Sequence, residues 1–158
     1  MKITDLYRYW RFLQNKPFGR WIFNRIIRFI NPYTGALKAN ICALDKGFAR
    51  IELRDRRGIR NHLNSIHAIA LTNLAEYTSG LALITLFSEN IRGIPVEIKI
   101  EFLKKARGVL IAECRTQLAD LSIAQAVEHI VRAEIRDADN DLVARAEVSW
   151  KLSVIESG

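Results

Sequence analysis

Cysteine is scarce in this sequence of 158 residues. The two cysteines, Cys42 and Cys114, lie inside apparent strand patterns, and neither belongs to a paired ligand spacing. These features argue against a disulfide framework or a metal site such as zinc, and they fit a reducing cytoplasm. Arginines and aromatic residues interrupt every apolar run near the N-terminus, so we expect no signal peptide. Nothing in the sequence points to a cofactor.

The longest apolar segment, residues 67–87, is about long enough to span a bilayer. Its polar residues argue against a membrane span: His67, Thr72, Asn73, Glu76, Thr78 and Ser79. The sequence shows no internal repeat, low-complexity tract or linker. With 49% hydrophobic residues, the chain can bury a core large enough to fold unaided, which predicts one compact domain.

The net charge of +7 is unevenly distributed. Residues 1–60 carry a balance of +10, whereas residues 61–158 carry a balance of −3. A basic half of this kind suits nucleic acid, anionic lipid or a phosphorylated ligand. Solvated basic faces are common, however, so charge alone selects no partner, and we do not expect nucleic acid to be one.

Residues 4–31 interleave aromatic and aliphatic residues with five arginines, Arg8, Arg11, Arg20, Arg25 and Arg28. Pro17 and Gly19 separate two short amphipathic helices, and Pro32 ends the second. We favour a helical pair packed on the domain, and the alternative is peripheral contact with a membrane surface. This interpretation divides the chain into an N-terminal helical extension, residues 1–34, and a main domain, residues 35–158.

The main domain begins with two predicted strands, residues 38–44 and 48–55, joined by the turn Asp45-Lys46-Gly47. A long buried helix follows at residues 66–87, with Asn64 or Ser65 as its N-cap. Alternating residues then predict strands over 96–103, 109–117, 127–136 and 142–154, the last two forming a hairpin. This order predicts an α+β fold in which an antiparallel sheet wraps around one helix.

Glu76 lies inside the predicted buried helix, where all other residues are apolar, small or neutral polar. An unpaired buried charge costs several kcal/mol, roughly, so this carboxylate must find polar partners or shift its pKa. Such a residue is a candidate for a functional site. The alternative is a glutamate that reaches solvent or pairs with an arginine.

The residues around this helix resemble a known family. Thioesterases of the hotdog fold, of the phenylacetate-pathway (PaaI) type, carry the motif Asn-x5-His-Gly-Gly-x4-Leu-Ala-Asp. The matching positions here are Asn61, His67, Leu74, Ala75 and Glu76. The segment is most similar to a bacterial hotdog branch of largely unassigned function, with an Asn-His-x4-His-Ala motif. The resemblance covers roughly residues 35–155 and implies a hotdog fold and an acyl-CoA thioesterase.

The resemblance also implies roles for individual residues. The backbone N–H of Ala68 would polarise the thioester carbonyl, and Glu76 would act as general base or, less readily, as nucleophile. Asn61 would help to position the water, and His67 would fix the loop or contact the carbonyl. Hotdog sites usually form at a dimer interface, so we expect a homodimer or a dimer of dimers in which a second subunit faces Glu76.

The acyl thioester, carried by coenzyme A or an acyl carrier, would also need binding residues. Lys104, Lys105 and Arg107 follow a strand end where a hotdog protein could receive phosphates, and Arg56, Arg57 and Arg60 compete for that role. A solvated basic turn is the alternative. His62, Asn64 and Thr72 are further candidates for substrate binding.

Three departures from the motif leave other functions open. Ala68-Ile69 replaces Gly-Gly, Glu76 replaces an aspartate, and Pro95 stands where some relatives have a serine or threonine on the facing strand. Hotdog hydratases use a histidine and an acidic residue fourteen positions apart, the separation of His62 and Glu76. The other alternative is a non-catalytic acyl-binding or membrane-associated module.

Overall fold

The computed structural model describes residues 5–118 and 126–155, so the outer limits predicted for the N-terminal extension and the main domain, residues 1 and 158, lie outside the described part. Three helices come first: α1 (Leu6–Leu13), α2 (Gly19–Ile30) and α3 (Pro32–Gly35). The main helix is α4 (Ala68–Ile84). The strands are β1 (Asn40–Asp45), β2 (Phe48–Arg54), β3 (Ile91–Phe102), β4 (Val109–Arg115), β5 (Val127–Arg136) and β6 (Leu142–Val154).

The six strands form one antiparallel sheet in the order β1-β2-β4-β5-β6-β3. Helix α4 contacts every strand of this sheet. Its apolar residues therefore bury against the concave face, as expected of a helix that is apolar nearly all round. The predicted fold class, a sheet wrapped around one central helix, is confirmed.

The N-terminal helices pack on the same core, as the favoured interpretation expected. Trp10 of α1 and Phe23 of α2 are almost fully buried and meet edge to face, with ring centroids 5.1 Å apart. The Asn24 side chain accepts from the Ile41 N–H at 2.7 Å and donates to the Ile41 carbonyl at 3.2 Å. Because β1 is an edge strand, this contact satisfies backbone groups that would otherwise be open to another chain.

Proline accounts for two differences from the prediction. Pro32 does end α2, but it also occupies the first turn of α3, a single-turn helix that was not expected, because its missing N–H costs nothing there. Strand β3 begins at Ile91 rather than at residue 96, with an irregularity in its pairing between Pro95 and Glu97. An edge strand tolerates a proline, so the strand continues through it.

The N-cap of α4 is His67, which corrects the prediction of Asn64 or Ser65. The His67 backbone is extended, and its Nδ1 accepts from the Ile69 N–H at 3.1 Å. Asn64 has a positive φ of 53° inside a tight loop. The Asn61 Oδ1 holds this loop by accepting from the N–H groups of Leu63 and Ser65. Residues 64 and 65 therefore belong to the loop, and the helix starts after them.

None of the helices in the described part of the chain is long and apolar enough to cross a membrane.

Candidate functional site

Glu76 faces a cavity of about 450 Å³ between α4 and the N-terminal helices. The walls are mainly apolar and come from α1, α2, α4, β3 and β6, with lining residues that include Leu6, Ile27, Ile30, Tyr77, Leu81, Pro95 and Trp150. Burial raises the pKa of Glu76 above that of an ordinary glutamate. Among residues 5–118 and 126–155, no cation or hydrogen-bond donor reaches this carboxylate. The pairing with an arginine that the sequence left open is therefore not seen there.

Trp150 and Gly80 are among the residues of the cavity wall that the sequence did not identify as site residues. Trp150 lies against Gly80, and the Glu76 Oε1 lies 3.9 Å from where a β-carbon on Gly80 would stand. The Trp150 indole N–H is buried and has no acceptor within the described residues. A glycine in the middle of an apolar helix was the available signal, because glycine there usually marks a close approach. Pro95, which the sequence aligns with a residue on the strand facing the helix, lines the same cavity.

We expect Gly80→Ala to impair the site more than the fold. The added methyl would lie 3.0 Å from the Trp150 ring, which lines the Glu76 cavity, so the indole must shift by a few tenths of an ångström. Alanine gains about 1 kcal/mol of helix propensity, which offsets part of an overpacking cost of about 1–3 kcal/mol. Chemical denaturation should show a loss of unfolding free energy below about 2 kcal/mol. A larger loss would mean that Gly80 serves mainly the core.

A second concavity, of about 330 Å³, brings together other predicted residues. It is lined by Asn61 and Ala68 together with Phe102, Lys104 and Lys105. The N–H groups of Ile69 and Ala70 both bond to His67, whereas the N–H of Ala68 has no acceptor within the described residues. An unpaired N–H at the start of a helix is a ready donor to a negatively charged oxygen.

Asn61 and His67 have structural partners of their own. The Asn61 Oδ1 also accepts from the Ser65 hydroxyl at 3.1 Å, so only the Nδ2 group remains to bind a water. His67 uses its Nδ1 to cap α4 and lines a third concavity of about 290 Å³ with Arg60 and Asn73. The capping contact fixes the start of α4, and the roles predicted for His67, fixing the loop or contacting the carbonyl, stay predictions.

The three cations predicted to bind phosphate differ in the contacts that they already make. Lys104 donates to Asp137 Oδ2 and Asp141 Oδ2, both at 2.6 Å, and these bonds raise its pKa. Arg107 makes a long contact of 3.4 Å with the Leu63 carbonyl. Lys105 has no ion-pair partner within the described residues. It is therefore the most available of the three cations for a phosphate group.

Two of the three arginines that could also bind phosphate already contact other groups of the chain. Arg60 pairs with Asp55 at 2.7 Å, and Arg56 donates to the Ala36 carbonyl. Arg57 starts a short 3-10 turn that runs to Ile59.

The remaining substrate-binding candidates lie outside the Glu76 cavity. The Thr72 hydroxyl donates back to the Ala68 carbonyl at 3.0 Å. His62 and Asn64 are exposed in the loop before α4.

Cysteine chemistry and a metal centre find no support in the described part of the chain. Burial raises the pKa of Cys42 and raises that of Cys114 to about 12, so neither thiol supplies a thiolate nucleophile at neutral pH. In residues 5–118 and 126–155, no group of three or more His, Cys, Asp or Glu side chains could hold a metal ion.

Glu76 and Ala68 are separated within one chain. They lie eight residues apart on the same helix, which corresponds to about 12 Å along its axis. They also line different concavities. A general base and an oxyanion donor must each come within about 3 Å of the same reacting group. One copy of the chain cannot bring these two groups onto one carbonyl.

The sheet, the enclosed helix and the order of elements define a hotdog-fold protein. Comparison with solved structures agrees. The chain is similar to the protein APC5556, solved by structural genomics, with 25% identity, a TM-score of 0.78 and coverage of 98% of this chain and 99% of that one. A thioesterase from Haemophilus influenzae gives 16% identity, a TM-score of 0.73 and coverage of 90% and 95%. A variant of a thioesterase enzyme from Staphylococcus aureus gives 14% identity, a TM-score of 0.69 and coverage of 77% and 98%.

The particular family follows from the sequence. The chain belongs to the family described as domain of unknown function DUF4442, which it matches over residues 19–152 and which is of the hotdog type. The matched segment includes α2 as well as the sheet and α4. No curated protein matches this chain.

Proposed function

We propose that this protein is an acyl-CoA thioesterase in which Glu76 activates the attacking water. The observation that carries the proposal is a half-buried carboxylate without a cationic partner in the described structure, facing an apolar cavity. Burial raises the pKa of a carboxylate and so makes it a stronger base near neutral pH. The similar structures from Haemophilus influenzae and Staphylococcus aureus carry the name thioesterase, which supports the same reaction class.

The site would be completed by a second copy of the chain. Strand β3 is a long edge strand with exposed apolar side chains, including Ile94, Val96 and Ile98. Unpaired edges of this kind associate with other strands, and two identical edges pair about a two-fold axis. We therefore place a homodimer contact at β3, and a dimer of dimers would need a further surface.

The position of the two concavities along β3 supports this arrangement. Gly93 and Pro95, near the start of β3, line the Glu76 cavity, whereas Phe102, at its end, lines the concavity with Ala68 and Asn61. In an antiparallel pair of β3 strands, the start of one lies beside the end of the other. The Glu76 carboxylate of one copy would then face the Ala68 N–H of its partner.

The proposed reaction needs only these groups and one water. The Glu76 carboxylate takes a proton from the water as the oxygen attacks the thioester carbonyl, and the Ala68 N–H donates to the resulting oxyanion. Collapse of the tetrahedral intermediate breaks the carbon–sulfur bond, and Glu76 returns its proton to the departing thiolate. The products are a carboxylic acid and free coenzyme A.

The surroundings suit the two parts of such a substrate. The apolar cavity lined by Leu6, Ile27 and Ile30 would take the acyl chain. Lys105, beside Ala68, would take a phosphate of coenzyme A, which keeps the charged end of the substrate in water.

A hydratase receives less support. His62 is exposed in the loop, and it does not line the Glu76 cavity. A dehydration site needs its histidine and carboxylate on the same substrate atoms.

Hydrolysis of an acyl-CoA panel, from acetyl to palmitoyl and including aryl-acetyl, tests the proposal. Release of free thiol is followed with the native full-length protein at several pH values. We expect turnover, with a rate that rises with pH as Glu76 loses its proton, at a midpoint above the usual glutamate value. No turnover with any member of the panel would contradict the proposal.

A further inference from the structure

The N-terminal helices carry a second apolar surface that the core does not use. Their buried side chains, such as Trp10 and Phe23, belong to the hydrophobic core. On the outside lie six exposed side chains, which we call the outer face: Phe12 (65% exposed), Phe18 (82%), Trp21 (63%), Ile22, Ile26 and Phe29 (88%). Large exposed apolar patches on a soluble domain usually mark a surface that meets a partner.

The spacing in α2 places three of these side chains on one side of the helix. Ile22, Ile26 and Phe29 follow each other at four and three residues, so they form one stripe along the helix. The buried residues of α2, among them Phe23 and Ile27, form a different stripe. The helix is therefore apolar towards the core and also towards solvent.

Charge indicates which partner fits the outer face. Residues 6–44 contain seven lysines and arginines and no aspartate or glutamate. Two of the cations lie over exposed rings: Arg25 at 5.3 Å from the centre of the Trp21 ring, and Lys16 at 5.4 Å from that of Phe12. A surface of exposed aromatics with adjacent cations matches the interface of an anionic bilayer, where rings enter the headgroup layer and cations meet phosphates.

We propose that the outer face binds the surface of an anionic lipid membrane. A second copy of the chain fits less well, because two such faces would bring the exposed cations Lys16, Arg20 and Arg25 of both copies together. A nucleic-acid duplex would meet the cations through its phosphates but leave the exposed Phe18 and Phe29 side chains uncovered.

Hydrogen bonds fix α2 to the residues around β1, so the N-terminal helices can bind a membrane as a preformed surface. Arg28 of α2 donates to the carbonyls of Lys38 and Ala39 and to the Asn40 Oδ1, and Asn24 holds Ile41. Binding then needs no folding of these helices, and the ordering cost is small.

The inner side of α2 connects this surface to the site. Ile27 and Ile30 line the Glu76 cavity, and Ile30 is half exposed beside Phe29. Docking would place the acyl-binding cavity next to a bilayer, from which a long-chain acyl thioester is drawn. This consequence rests on the proposed function, whereas the docking itself does not.

The test is flotation of the full-length protein with vesicles of phosphatidylcholine alone or with added phosphatidylglycerol. We expect binding to the anionic vesicles, at least about 10-fold weaker binding to the zwitterionic ones, and weakening by salt. The variants Trp21→Ser/Phe29→Ser and Arg20→Glu/Arg25→Glu should each reduce binding at least about 10-fold. Ile130→Ser removes an exposed apolar side chain from β5 instead and should leave binding unchanged.

Three results would overturn the docking proposal. The first is that the native protein does not bind anionic vesicles, and the second is that all variants bind them equally. The third is that the Trp21→Ser/Phe29→Ser variant has a lower molecular mass in solution than the native protein, which would assign the face to a second copy. Because the altered side chains are exposed, circular dichroism should show native folding. Hydrolysis of soluble short-chain acyl-CoA should be unchanged in both variants, so failure of docking is distinguishable from failure of the thioesterase proposal.

Discussion

Glu76→Gln is expected to lower acyl-CoA hydrolysis by about 10²–10⁴-fold, the usual contribution of a general base. Glutamine keeps the size and polarity of the side chain but cannot accept a proton from water. The matched control is Glu128→Gln, which changes an exposed glutamate on β5 and should retain native rates. Full activity of the Glu76→Gln protein would remove this residue from the mechanism.

The same substitution should not weaken the fold, because burial raises the pKa of Glu76. A raised pKa means that the folded state favours the protonated carboxyl. This stabilisation is fully present below the ordinary glutamate pKa, about 4.3, and is lost as pH rises through the raised value. At pH 8 the native protein holds a partly buried charge that glutamine lacks. Chemical denaturation should therefore show an equal or higher unfolding free energy for Glu76→Gln at pH 8, with the difference vanishing below about pH 4.

Ala68→Pro is expected to lower the rate by about 10²–10³-fold, the effect of deleting one oxyanion donor. Proline is well tolerated at the first helical position and removes only the N–H group there. The preceding residue, His67, has φ −64° and ψ 141°, a conformation that proline favours in its neighbour.

The control for this variant is Ala68→Gly, which alters the side chain but keeps the N–H. We expect near-native rates from Ala68→Gly and a native thermal transition from Ala68→Pro. Equal activity of the proline and glycine variants would exclude the Ala68 N–H as the oxyanion donor.

The order of elements was accessible from the sequence because alternation in the strands differs from the uniformly apolar run of the central helix. The alternation in β6 and the uniformly apolar character of α4 identify a sheet around a helix. Glu76 was found for the same reason, since a single carboxylate among apolar residues is visible without a structure. Its pKa shift then follows from burial alone.

Other features depend on contacts that no local pattern encodes. The N-cap of α4 is His67 rather than the predicted Asn64 or Ser65, because those two residues lie in a loop that the Asn61 side chain holds by hydrogen bonds. The cavity walls come from helices that are distant in sequence, so Leu6 and Ile27 could not be assigned to the Glu76 site. The separation of Glu76 from Ala68 follows from their spacing in the helix, whereas their placement in two different concavities appears only in the structure.

The N-terminal helices are another case in which the sequence alone does not show which side chains are buried. Their sequence is apolar on more than one side, which suits either core packing or a membrane surface. The structure assigns Trp10 and Phe23 to the core and leaves Trp21 and Phe29 exposed. The core-packing interpretation is therefore seen in Trp10 and Phe23, whereas membrane contact by Trp21 and Phe29 stays a proposal.

The central claim, that two copies share one site, is tested most directly by subunit complementation. Ala68→Pro and Glu76→Gln chains are co-expressed with different tags, and the mixed dimer is purified. A shared site pairs the Glu76 of one chain with the intact Ala68 N–H of the other, so one of two sites is restored and about half of the native rate should return. A mixed dimer no more active than the two parent variants would show that each site lies within one chain and would contradict the account.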